Sequence, residues 1–191
     1  CLPGHGSSWQ QMNKTTWQDW YKAAEQELLE LQKKCDRVFI AGFSMGGALA
    51  LRLCQIRSSE VEGLLLLNPS IHDRRLFLKL TPLLKYFISS VKKGPTDIAA
   101  PNPIKHAYHR TPLKALDSLR KLWQIVERDL YLIDLPIMVA YSINDHAVDP
   151  ENSMTVIDNI FSVDIREVIF ENSYHNVALD YDCEQLNAES K

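Results

Sequence analysis

The chain lacks an excess of positive charge, a long apolar run and any paired cysteines, and each absence removes a class of function. Its 21 lysines and arginines are outnumbered by 24 aspartates and glutamates, giving a net charge of -3. Such a surface has no basic field of the kind nucleic acid requires, so no nucleic-acid partner is expected. No stretch approaches the roughly 18 uncharged apolar residues of a transmembrane helix, and the apolar run at 64–67 is far too short. Cys1, Cys35, Cys54 and Cys183 show no C-x-x-C spacing. They read as free thiols of a reducing compartment, which sets the expected location as cytoplasmic and argues against a metal cluster.

What is present is enough for one sizeable core: 191 residues with 46% hydrophobic content. Residues 37–53 organise the rest. The β-branched and aromatic run 37–41 reads as a buried strand, and the alanine- and leucine-rich run 48–53 reads as a helix. Between them stands Gly42-Phe43-Ser44-Met45-Gly46-Gly47, a G-x-S-x-G element in the strand-to-helix context that a nucleophile elbow requires. The expected reason for Gly42 and Gly46 is steric, because backbone passing close to a sharp turn leaves room only for hydrogen.

Along the chain, residues 1–15 read as a loop, and Thr16 with Asp19 forms a capping pair. Trp17, Trp20, Tyr21, Ala24, Leu28 and Leu31 then recur at helical spacing, as one face packed on a sheet would. Residues 63–67 look like a parallel strand covered on both faces, ended by Asn68-Pro69. From 71 to 129 no strand is evident. Leu76, Phe77, Leu80, Leu83, Leu84, Phe87 and Ile88 make one helical stripe. Leu113, Leu116, Leu119, Trp123 and Val126 make another, on a helix expected to be capped by Thr111. The expected division is therefore a core of 1–70 and 130–191 with a helical cap at 71–129. The strand pattern resumes at 136–141 and 165–170, with a helix from about Pro150, and the alternation implies a doubly wound, mainly parallel sheet.

A serine hydroxyl is a poor nucleophile at neutral pH, so an elbow needs a histidine base, and that base needs a carboxylate. Asp145 follows the strand ending near Tyr141, and His175 follows the strand ending at Phe170. Both loops leave the carboxyl edge of the sheet, where Ser44 also stands and where crevices of open α/β sheets form. The order Ser, Asp, His matches the hydrolase pattern. Asp149 before Pro150 reads more simply as a helix cap, and His146 follows no separate strand. His72, His106 and His109 fall in the 71–129 segment and are read as structural or solvent-facing, while the Gly-His-Gly loop of His5 is similar to an oxyanion-hole motif but precedes a helix with no strand before it.

Taken together, residues 2–6, the Trp17-x-x-Trp20 helix, the elbow, Leu135-Pro136 leading to Asn144-Asp145-x-x-Val148-Asp149-Pro150, and Ser173-Tyr174-His175 resemble the carboxylesterase and monoacylglycerol lipase branch of the α/β-hydrolase fold. The resemblance implies a triad of Ser44, Asp145 and His175, with the Met45 backbone N–H in the oxyanion hole. It also implies an ester or monoacylglycerol substrate, with no cofactor and no metal. That family usually opens with further strands and a His-Gly loop. The chain starting at Cys1 is thus expected to be N-terminally incomplete, with N-terminal strands and the second oxyanion donor missing. The alternative is an inactive, incomplete hydrolase that serves as an interaction module or is a truncated product. Tyr174 stands where the family has glycine, which puts the reach of His175 in question.

Overall fold

The computed structural model describes residues 1–101 and 108–190. A short α1 (Trp9–Met12) leads into α2 (Trp17–Gln32). Its capping box is formed, with the Thr16 N–H donating to Asp19 Oδ2 at 2.8 Å. Then come β1 (Phe39–Phe43), α3 (Met45–Arg57) and β2 (Gly63–Leu67). The segment after β2 carries α4 (Leu76–Leu84), β3 (Ser90–Lys92), β4 (Arg110–Pro112) and α5 (Leu113–Arg128). The chain closes with β5 (Ile137–Ser142), α6 (Glu151–Asn159), β6 (Ile165–Phe170) and α7 (Cys183–Glu189).

Four strands form one parallel sheet in the order β1-β2-β5-β6. Alternation sorts its side chains to two faces. Leu64, Leu66, Ile137, Val139 and Tyr141 join the larger core with α2, α3 and α5, and Leu67, Ala140, Val168 and Phe170 join a smaller one with Val177 and Leu186 of the C-terminal segment. Helix α3 is buried nearly all round because its run Gly47–Leu51 carries no polar side chain. The sheet keeps its register beyond the strands: the N–H groups of Ser44, Asn68 and Ile143 donate to Leu67, Ala140 and Phe170 carbonyls at 3.0, 2.9 and 3.1 Å. The loops at this edge therefore start from fixed points.

Several expectations need correction. Missing N-terminal strands do not describe this chain: β1 is in place at Phe39–Phe43, and residues ahead of it are built into the fold as α1 and α2. The strand content is mixed and not simply parallel, because β3 and β4 pair antiparallel. Three-residue strands are too short to show a period of two, and Pro112 at the end of β4 masks the pattern. Thr111 lies in β4 and does not cap α5, whose N-cap position is Pro112. Strand β1 is at the sheet edge, with Phe39 62% exposed.

The stripe on α4 is also placed differently from its packing expectation. Leu78 and Thr81 turn inward, whereas Leu76, Leu80 and Leu83 are exposed. Helix α4 packs against α5, and Lys85 Nζ just beyond α4 lies 2.5 Å from Asp117 Oδ2. Burial pushes the Asp117 carboxyl up, but the Lys85, Lys121 and Arg120 cations outweigh it and hold the group below the usual carboxylate range. His106 lies outside the described residues. Among the described residues, no helix is long and apolar enough to cross a membrane.

Candidate active site

The elbow is a strained turn held from several sides. Ser44 adopts φ 53° and ψ -121° between β1 and α3, a conformation that side chains of L-residues rarely take. Its N–H donates to the Leu67 carbonyl, and its own carbonyl accepts from Gly47 and Ser70 N–H at 2.9 and 3.0 Å. The glycines that permit this are Gly42 and Gly47, not Gly42 and Gly46. A Cβ on Gly42 would meet the Gly46 carbonyl oxygen at 2.7 Å, and one on Gly47 would meet Pro69 at 2.8 Å. At Gly46 nothing lies within 4 Å. Gly42→Ala is therefore expected to cost about 1–3 kcal/mol or more by overpacking and to displace Ser44. Gly46→Ala should be neutral or stabilising, since alanine favours a helix by about 1 kcal/mol over glycine. Thermal unfolding of the two variants gives the comparison.

Three predicted site residues are brought together. Ser44 Oγ lies 2.9 Å from His175 Nε2, and His175 Nδ1 lies 2.6 Å from Asp145 Oδ2. A carboxylate only accepts, so Nδ1 carries the proton and Nε2 is left to accept from the serine hydroxyl. Asp145 comes from the turn after β5, and its side chain is almost wholly buried. Its Oδ1 accepts from the N–H groups of Ala147 and Val148, both at 2.8 Å, which fixes Oδ2 toward the imidazole. The His175 ring is tilted over Phe43, centroids 4.9 Å apart. Met45 heads α3, where the first N–H groups of a helix have no intrahelical acceptor.

The remaining candidates stand elsewhere. His146 Nδ1 faces Asp97 Oδ1 at 3.0 Å, and Asp149 Oδ1 accepts from the Glu151 N–H at the start of α6 at 3.0 Å, as a cap would. His5 packs edge-on to Trp20 with centroids 5.8 Å apart, His72 approaches Glu127 at 3.8 Å, and His109 is exposed. Tyr174 does not keep His175 from Ser44, because its N–H is taken up by Asp180 Oδ2 at 2.9 Å.

Three residues that sequence reasoning missed hold the histidine loop. Asn68, at φ 42° after β2, accepts from Ser142 N–H at 2.8 Å and donates from Nδ2 to the His175 carbonyl at 2.5 Å. An asparagine closing an apolar run is a readable sign of a left-handed position. Asp97, from the segment between β3 and β4, accepts from the N–H groups of His146 and His175. Asp180 accepts from the N–H groups of Ala99, Ala100, Tyr174 and Tyr181 at 2.7 to 3.0 Å.

Burial pushes the Asp180 carboxyl up, but those four N–H groups favour its charged form and hold it below the usual carboxylate range. A carboxyl depressed in the folded state stabilises the protein above its unfolded pKa, near 3.9. That contribution is lost as pH falls through the lower folded value. Asp180→Asn should thus cost on the order of 2 kcal/mol at neutral pH, shrinking below pH about 3.9, read by denaturant unfolding at both pH values.

Ser44, Asp145 and His175 open into a cavity of about 1,010 Å³. Its walls include Leu116, Leu119 and Trp123 of α5 beside charged and polar groups such as Lys93 and Arg110. An apolar wall beside the Ser44 hydroxyl suits a ligand with both a polar centre and an apolar body.

The serine aminopeptidase, S33, family pattern matches residues 2–182. A thermostable monoacylglycerol lipase of Bacillus sp. (strain H-257) is 30% identical over 187 residues, covering 95% of this chain and 73% of the relative. A solved structure of a metagenome-derived lipolytic enzyme superposes with TM-score 0.95 at 28% identity, covering 99% of this chain and 77% of that one. A soluble variant of the monoglyceride lipase of Saccharomyces cerevisiae, in complex with a substrate analogue, shares the fold with TM-score 0.81 at 17% identity, over 99% and 73% of the two chains. The family match begins at residue 2, which corrects the expectation for the opening residues: they lie inside the matched pattern.

Proposed function

As the chain belongs to the serine aminopeptidase, S33, family of α/β-hydrolases and is a serine carboxylic-ester hydrolase of the esterase and lipase kind, we propose that it cleaves monoacylglycerol-like esters through an acyl-enzyme on Ser44. The observation that carries the reading is the unbroken relay from Ser44 Oγ through His175 to Asp145. The hydroxyl attacks the ester carbonyl while His175 Nε2 takes its proton. Charge that develops on the carbonyl oxygen is met by the Met45 N–H at the positive end of α3. His175 then returns the proton to the leaving alcohol, and water, activated by the same nitrogen, releases the acid.

Residues 71–129 act as a cap in this reading, with α5 supplying the apolar wall for the acyl chain. Support for the substrate class comes from the Bacillus relative, a monoacylglycerol lipase, and from the apolar side of the cavity. Four free cysteines support a reducing, cytoplasmic location. The test is steady-state hydrolysis of monoacylglycerols and p-nitrophenyl esters of increasing acyl length, with matched acyl-thioesters. Turnover of monoacylglycerols and oxygen esters that vanishes in Ser44→Ala supports the reading. A folded protein that prefers thioesters, or peptides with a free amino terminus, overturns the substrate class.

A further inference from the structure

Asp97 stands outside the relay and has no part in the mechanism above. It lies in the segment between β3 and β4, far in sequence from all three relay residues, yet its carboxylate is only 17% exposed and reaches both relay loops. Oδ2 accepts from the N–H of His146 at 2.9 Å and from the N–H of His175 at 3.2 Å. His146 directly follows Asp145, so one oxygen joins the chain next to the acid with the chain at the base. Oδ1 faces His146 Nδ1 at 3.0 Å, and the Asp97 carbonyl accepts from the Asn176 N–H at 3.3 Å. Two further anchors follow in the same segment, since the N–H groups of Ala99 and Ala100 donate to Asp180, which also accepts from the Tyr174 N–H.

We infer that Asp97 is a positioning residue: its carboxylate clamps the Asp145 and His175 loops at the spacing that lets the imidazole bridge acid and nucleophile. This rests on Ser44, Asp145 and His175 acting as the triad. The two N–H groups it binds point to the 71–129 segment, whereas the direct links between the β5 and β6 loops, from Ser142 Oγ to the Ser173 carbonyl and from Asn144 Nδ2 to the Glu171 carbonyl, precede the relay residues in both loops. A bridge from that segment to both loops makes the nucleophile's activation depend on how the segment is seated. Removing Asp97 leaves the Asp145 turn intact, held by Ala147 and Val148, and leaves Asn68 on the His175 carbonyl. What is lost is the link between the chain just after Asp145 and the His175 N–H, and misplacement of a reacting group by about 1 Å costs on the order of 10²-fold in rate.

The test compares Asp97→Ala, Asp97→Asn and the unsubstituted protein in hydrolysis of one ester, with the rate and final extent of fluorophosphonate labelling measured in parallel. The expected result is a fall in kcat of roughly 10- to 100-fold for Asp97→Ala, with KM changed less than about twofold, slower labelling and the same final extent. Asp97→Asn should recover most of kcat, because its carbonyl oxygen can still accept both N–H groups. Unchanged kcat in Asp97→Ala overturns the inference. So does a loss that follows the unfolded fraction by circular dichroism, or one that asparagine does not relieve. If the unsubstituted protein is not labelled at all, the triad reading fails, an outcome distinct from these.

Discussion

Asp145→Asn is expected to lower kcat by about 10⁴-fold while leaving the fold unchanged. The two effects separate because the two oxygens of Asp145 have separate tasks. Oδ1 takes the Ala147 and Val148 N–H groups and shapes the turn after β5, and an asparagine carbonyl can do the same. Oδ2 receives His175 Nδ1 at 2.6 Å, and an amide nitrogen there presents a donor to a donor. The imidazole must then carry its proton on Nε2, where it can no longer accept from Ser44. Steady-state kinetics beside a thermal melt reads both halves: a collapse of kcat with an unmoved midpoint is expected, and equal loss of both would place Asp145 in the fold alone.

His175→Ala is expected to be as damaging as Ser44→Ala, each on the order of 10⁶-fold in kcat, and the double variant no worse than either. The reason is that hydroxyl and imidazole act as one unit across 2.9 Å; with one gone, the other has nothing to do. Activity measured in the three variants should level at the same residual rate. Losses that multiply in the double variant would show that the two side chains work independently.

Much of this site is legible along the chain because it depends on local rules. A β-branched run, a glycine-flanked serine and an alanine-rich run fix Ser44 at a strand-helix turn, and the apolar runs before Asp145 and His175 place both at the same sheet edge. Which glycines matter is a tertiary question. Gly46 looks essential from the motif, but the atoms that crowd the turn come from the Gly46 carbonyl, Ala50 and Pro69 and press on Gly42 and Gly47. The stripe on α4 has the period of a packed helix, yet Leu76, Leu80 and Leu83 face outward; periodicity gives a shared face and not its direction. Asp97 left no trace at all, because a carboxylate that collects backbone N–H groups from two distant loops has no local pattern. The expectation of missing strands arose from a family comparison and not from these residues, whose match to the family starts at residue 2.

The central claim is that Ser44 is a nucleophile activated by His175, and intact-protein mass spectrometry after exposure to a fluorophosphonate tests it most directly. The expected result is a single adduct, mapped to the peptide that carries Ser44 and absent from Ser44→Ala. A folded protein that stays unmodified, or one modified at a different residue, would contradict it.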